Sequence, residues 1–172
     1  MVDEAYHYFY PKTFIKYALT EDHVFITRTF SKLFSMAGCR LGYVVGWSDG
    51  VKMVQKMCTP HNTNAFAMMF AEKVLTTPGM LDSLITNFNG GRKYLVNSLD
   101  KNGYRHKGEA GNFIFIEPKT DAQTIVDRMK AEKKILIKAY PNVGEFGNCL
   151  RVSIGEEKYM KQFVEALLEI DR

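Results

Sequence analysis

The chain has 172 residues, 46% apolar, 24% charged and 13% aromatic, which is enough to bury a core in one domain or two small ones and too apolar for an intrinsically disordered chain. Its 23 Lys and Arg against 19 Asp and Glu leave a scattered excess of +4, too weak to argue for a nucleic-acid partner. No apolar run approaches the roughly 18 residues of a membrane span, and Met1-Val2-Asp3-Glu4 has neither the basic flank nor the apolar stretch of a signal peptide.

Three cysteines, Cys39, Cys58 and Cys149, form an odd set without C-x-x-C spacing, which fits neither a disulfide framework nor a zinc site. A cytoplasmic, reducing setting is expected. There is no internal repeat, so organisation is read from changes in hydrophobic period. A strand is predicted to end near Val2-Asp3-Glu4-Ala5. Pro11 opens a short helix through Ile15 and Leu19, and His23 to Thr27 is the next strand. A strand-helix-strand crossover of this length makes its two strands parallel. Leu41 to Gly46 is a further buried strand. Ala65 to Leu75 is predicted helical, with Phe66, Met69, Phe70 and Val74 on one face and a stop at Thr76-Thr77-Pro78-Gly79.

A domain boundary is placed at residue 80. Met80 to Leu99 is predicted to be a longer connecting helix, weakened or kinked at Gly90-Gly91. The remainder reads as strand, helix, strand, strand, helix: Asn112 to Glu117, Ala122 to Glu132, Ile135 to Ala139, Cys149 to Gly155 and Glu156 to Ile170. In the last helix Met160, Phe163, Val164, Leu167 and Leu168 form one stripe that must lie on a sheet.

Ligands of open α/β sheets bind beyond the carboxyl ends of the strands. Asp3 and Lys32 both fall just past such ends, so two residues 29 apart in sequence can face one cavity. Between them and the next strand, Thr29-Phe30-Ser31-Lys32 and Ala37-Gly38-Cys39-Arg40 gather hydroxyls, a lysine and an arginine, the donor set that a phosphate dianion requires. On the residues alone, a Ser/Thr-rich loop with two solvated cations is the favoured reading. His7, His23, His61 and His106 have no metal-site spacing, and Glu4 reads as a solvated or locally paired acid.

Four blocks in order, Val2-Asp3-Glu4-Ala5-Tyr6, Thr29-x-Ser31-Lys32, Ala37-Gly38-x-Arg40-Leu41-Gly42-Tyr43 and Leu150-Arg151-Val152-Ser153-Ile154-Gly155, resemble the pyridoxal-phosphate-dependent aminotransferases of fold type I, with the strongest likeness to the histidinol-phosphate aminotransferase group. The resemblance implies an α/β fold. Residues 1–80 would be the C-terminal part of the large cofactor domain, with its mostly parallel sheet, and residues 81–172 a connecting helix and a small α/β domain. It implies amino transfer between an amino acid, or an amine like histidinol phosphate, and a 2-oxo acid.

Residue by residue, Lys32 matches the lysine that holds pyridoxal 5'-phosphate covalently and then moves the substrate proton. Asp3 matches the carboxylate that keeps the pyridine nitrogen protonated, and Tyr6 the phenol on the 3-oxygen. Thr29, Ser31 and Arg40 match phosphate-contacting positions. Arg151 matches the arginine that clamps the substrate carboxylate. The alternation Leu150-Arg151-Val152-Ser153-Ile154 puts Arg151 on the strand face opposite the core, where it is expected to reach a cleft between the two halves.

The family places a long segment before the block holding Asp3, so the chain resembles the carboxyl-terminal half of a subunit. A homodimer, or association with the missing amino-terminal half, is expected. Two other functions stay open: a decarboxylase of the same fold, like the threonine-phosphate decarboxylases, and a stable but inactive domain.

Overall fold

The strand Val2–Asp3 (β1) runs parallel to Phe25–Thr29 (β2), with Val2 opposite Ile26 and Asp3 opposite Thr27, and the helix Ile15–Thr20 (α1) makes the crossover between them. The structure, a computed structural model, describes residues 1–10, 12–60 and 62–172. Pro11, expected to open α1, and His61 lie outside the described residues. The third strand, Gly42–Gly46 (β3), pairs antiparallel with β2 from Phe25↔Gly46 to Thr29↔Gly42. The sheet order is β1-β2-β3, so this sheet has one parallel and one antiparallel pair.

The chain divides into two units, Met1–Leu84 and Ile85–Arg172. In the first, Ile26 is fully buried, and Ala18, Phe30, Leu33, Phe34, Met36 and Leu41 are buried as well. The helices Ser48–Lys56 (α2) and Ala65–Thr76 (α3) follow β3. Asn64 caps α3 by accepting the N–H groups of Phe66 and Ala67 at 2.9 and 3.2 Å, a side-chain service to otherwise unpaired donors. The small residues Ala67 and Ala71 are buried, whereas Phe66, on the face predicted from sequence, is 71% exposed and Met69 and Phe70 are 55% exposed.

The helix Met80–Lys101 (α4) carries the chain from one unit to the other and is unbroken at Gly90-Gly91. Gly91 has a packing role: a Cβ there would lie 1.8 Å from the Gly155 carbonyl oxygen. The missing side chain lets helix and loop backbones touch.

The second unit is built on an antiparallel sheet of His106–Lys107 (β4), Phe113–Ile116 (β5), Lys138–Tyr140 (β6) and Cys149–Ser153 (β7), in the order β4-β5-β7-β6. Ile114, Ile116, Leu150 and Val152 are buried on one face. Ala122–Arg128 (α5) continues as a π-helical turn, Met129–Lys133, where one helix to residue 132 was predicted. In Glu157–Ile170 (α6) the predicted stripe is buried at Met160, Phe163, Val164 and Leu167 and half-buried at Leu168. Each such side chain contributes about 1.5–3 kcal/mol by leaving water.

The carboxylate of Asp171 closes this unit, accepting the N–H groups of Lys119 and Thr120 at 2.9 and 2.8 Å and the Thr120 hydroxyl at 2.7 Å. Most of the exposed large hydrophobic side chains, including Phe14, Tyr17, Leu19, Met53, Met57 and Phe66, belong to the first unit; the second leaves Leu136, Tyr140 and Tyr159 exposed among the described residues.

Candidate active site

Side chains alternate along β2, so Thr27 and Thr29 share one face and Ile26 and Arg28 the other. Beyond Thr29 the chain turns back. Thr29 Oγ1 accepts the Ser31 N–H at 3.0 Å and donates to the Leu41 carbonyl at 3.4 Å, while Phe30 N–H donates to the same carbonyl at 3.1 Å. Phe30, Leu33, Phe34, Met36 and Leu41 are buried and anchor this loop, which leaves Ser31 and Lys32 half-buried between them. Two non-glycine residues, Ser35 and Arg40, adopt left-handed backbone at φ 55° and 51°. Such backbone costs of order 1–3 kcal/mol per residue and persists where surrounding contacts impose it.

These elements converge on a cleft of about 340 Å³ lined by Asp3, Ala5, Thr27, Arg28, Thr29, Ser31, Lys32 and Arg40. Asp3 Oδ1 accepts the Ala5 N–H at 2.9 Å, which fixes the carboxylate at the end of β1. The Lys32 ammonium lies over the Tyr6 ring, 5.2 Å from its centroid. Arg40 Nη1 donates to the Ala37 carbonyl at 2.8 Å, using one of the five N–H donors of a guanidinium. Six of the seven residues singled out from sequence therefore gather in the first unit.

The seventh, Arg151, belongs to the second unit. It is half-buried on β7 between buried Leu150 and Val152, with its guanidinium carbon 4.0 Å from the Phe113 ring centroid. In register it stands opposite Phe115 on one side and Lys138 on the other. A larger concavity of about 760 Å³ in this unit is lined by Phe113, Phe115 and Phe146 with Lys107, Glu109 and Glu145. Lys107 and Glu145 pair there at 3.4 Å, and none of the seven candidates lines it. Chemistry, rather than size, selects the smaller cleft.

Sequence reasoning missed Arg28 and the part played by Glu4. Glu4 is buried and paired rather than solvated: its carboxylate accepts Phe14 N–H at 2.7 Å, the Thr13 hydroxyl at 2.9 Å, and Arg28 Nη2 and Nε at 2.9 and 3.1 Å. Burial pushes this carboxyl up, but the hydrogen bonds from Phe14, Arg28 and Thr13 together outweigh it and hold Glu4 below the ordinary carboxylate value. His7 Nδ1 lies 3.7 Å from Glu4, and burial, helped by the Arg28 charge, depresses its imidazole despite the Glu4 charge. Burial, with a hydrogen bond to Tyr43, pushes the Tyr8 phenol up to about 12. The run Phe25-Ile26-Thr27-Arg28-Thr29 has no apolar-polar alternation that could have singled out Arg28.

The family model for aminotransferase class I and II matches residues 1–167. The histidinol-phosphate aminotransferase of Geobacter sp. (strain M21) is 30% identical over 170 residues, covering 99% of this chain and 48% of that protein. The crystal structure of the histidinol-phosphate aminotransferase from Clostridium acetobutylicum superposes with a TM-score of 0.83 at 25% identity, over 98% of this chain and 53% of that one.

The enzyme of the same name from Sinorhizobium meliloti, solved in complex with pyridoxal-5'-phosphate, shares the fold with a TM-score of 0.83 at 24% identity, over 99% of this chain and 48% of that one. The chain spans about half the length of the curated relatives it matches. A match over nearly every residue, on a fold that brings an amine, a carboxylate and an arginine to one cleft, makes this chain a member of the class I and II aminotransferase family.

Proposed function

We propose that the chain is the carboxyl-terminal half of a pyridoxal-phosphate-dependent aminotransferase subunit, acting on an amino acid or an amine like histidinol phosphate with a 2-oxo acid as the partner substrate. The observation that carries this reading is the meeting of Asp3, Thr29, Ser31, Lys32 and Arg40, from the ends of two parallel strands and the loop before β3, in one cleft. Its volume falls within the roughly 300–1,000 Å³ of small-molecule sites. Its donors suit a phosphorylated aldehyde: hydroxyls and a guanidinium for the dianion, an amine for the aldehyde and a carboxylate for a ring nitrogen.

When bound, pyridoxal phosphate supplies an exchangeable aldehyde and a ring that takes up the electron pair left as the substrate Cα loses its proton. The side chains do the rest. Lys32 Nζ would hold the cofactor and, as a free amine, would move the proton between the substrate Cα and the cofactor carbon. The Asp3 carboxylate, already fixed through Oδ1, keeps the ring nitrogen protonated. The Tyr6 phenol donates to the 3-oxygen. Thr29, Ser31 and Arg40 would hold the phosphate. Arg151 pairs with the substrate carboxylate through a two-pronged contact that lysine does not reproduce.

The apolar exposure concentrated in the first unit supports association with the complementary amino-terminal half, or with a second copy. The test is covalent capture. Protein incubated with pyridoxal phosphate and reduced with borohydride is expected to carry the label on Lys32 in peptide mapping, with new oxo acid formed when the complementary half is supplied. A label absent from Lys32 under both conditions overturns the reading, carbon dioxide among the products identifies a decarboxylase instead, and a monodisperse monomer in light scattering counts against association.

A further inference from the structure

The Glu4–Arg28 ion pair is buried, with 7% and 10% of the two side chains exposed, and it lies one residue from each of the strand ends that carry the site. Glu4 follows Asp3, and Arg28 precedes Thr29. Glu4 N–H extends the parallel ladder by donating to the Thr27 carbonyl at 2.9 Å. The carboxylate is held at both oxygens. Oε2 takes Nε and Nη2 of Arg28, Oε1 takes Phe14 N–H, and the Thr13 hydroxyl bridges to Arg28 Nη2 at 3.0 Å.

A buried ion pair is a poor device for stability, because neutral residues of similar shape often serve as well. What it supplies is a fixed geometry, since a two-pronged charged contact tolerates one arrangement. Here the arrangement joins the residue after Asp3 to the residue before Thr29.

We propose that Glu4 and Arg28 are positioning residues whose ion pair sets the separation between the Asp3 carboxylate and the Lys32 amine. This rests on the reading that those two groups hold the cofactor. The pair does not touch the cofactor; it acts through the strand ends. Glu4→Gln is expected to destabilise the whole first unit, so a neutral double variant, Glu4→Gln with Arg28→Met, separates geometry from stability by removing both buried charges together.

The experiment uses the full chain and two readouts. In the cofactor-free protein, amide exchange of residues 26–32 is expected to accelerate roughly tenfold in the double variant, even where its melting temperature returns towards wild type. With pyridoxal phosphate and borohydride, the rate of Lys32 labelling falls by a similar factor, and Arg28→Lys, which keeps the charge, restores part of it. Asp171→Asn, a loss of a buried carboxylate in the other unit, leaves both readouts of the first unit unchanged. Unaltered exchange over residues 26–32 in the double variant overturns the proposal, as does wild-type labelling of Lys32 in that variant. If wild type itself fails to label, the cofactor reading falls, and the exchange measurement alone still decides the role of the pair.

Discussion

The Lys32 ammonium rests over the Tyr6 ring, 5.2 Å from its centroid, although the two residues come from different strand ends. A cation on an aromatic face gains about 0.5–1 kcal/mol where solvent reaches it. The amine is thereby kept beside the phenol and within the cleft that also holds Asp3, Ser31 and Arg40.

Lys32→Ala is expected to abolish borohydride-trapped capture of pyridoxal phosphate, because it removes the only amine lining the cleft among the described residues. Arg40→Ala removes a phosphate contact but not the attachment point. It is expected to leave Lys32 labelling intact at saturating cofactor while weakening retention roughly ten- to a hundredfold, the worth of a charge-assisted contact. Gel filtration followed by absorbance of the retained cofactor measures both.

Gly91→Ala and Gly90→Ala are neighbours in α4 with opposite expected signs. At residue 91 the new Cβ would meet the Gly155 carbonyl oxygen at 1.8 Å, backbone against backbone, and overpacking of this kind costs typically 1–3 kcal/mol or more. At residue 90 nothing lies within 4 Å, so alanine is expected to stabilise the helix by about 0.5–1 kcal/mol. Urea unfolding of the two variants checks the pair, and equal behaviour would remove the packing explanation for the Gly-Gly step.

Glu4→Gln alone leaves the buried Arg28 guanidinium without its charge partner and is expected to cost about 3–5 kcal/mol in chemical unfolding. Glu4 also shapes acid stability. Its folded value lies below the unfolded one of about 4.3, so its contribution is complete above that pH and is lost as pH falls through the folded value. Wild type should therefore lose stability steeply below about pH 4.3, and Glu4→Gln, already weakened at neutral pH, should show a shallower slope.

His7 acts on a higher window with the same sign. Its imidazole titrates lower in the folded chain than its ordinary value of about 6.5, so below that pH the unfolded chain binds more protons and stability falls. His7→Gln should flatten the melting temperature of the first unit between neutral pH and about pH 5. An unchanged slope would show that His7 is not the group responsible.

Periodicity located most elements because strands and helices of both units bury regular faces. Glu157–Ile170 is the clearest case, with four of its predicted stripe residues buried. The helix Ser48–Lys56 escaped notice because it has no side-chain N-cap and carries Gly50, whose role is spatial: a Cβ there would strike the Phe25 ring at 2.6 Å. The packing role of Gly91 was hidden for a related reason, since a residue in close contact with Gly155 looks in sequence like a helix breaker.

At the site, Asp3 and Lys32 were legible as residues just past strand ends, and motif resemblance supplied the candidate roles. Glu4 and Arg28 were not legible, because pairing across 24 residues depends on a strand register that composition does not reveal.

The uneven distribution of exposed hydrophobic side chains has a bearing on biosynthesis. As the chain emerges from a ribosome, helices with faces such as Phe66, Met69 and Phe70 appear before the residues of the self-contained second unit have been made. They stay exposed in the folded chain, and so remain open to holdase chaperones and to adhesion between chains. Yield in cells should then depend more on how quickly these faces are covered than on the robustness of the second unit.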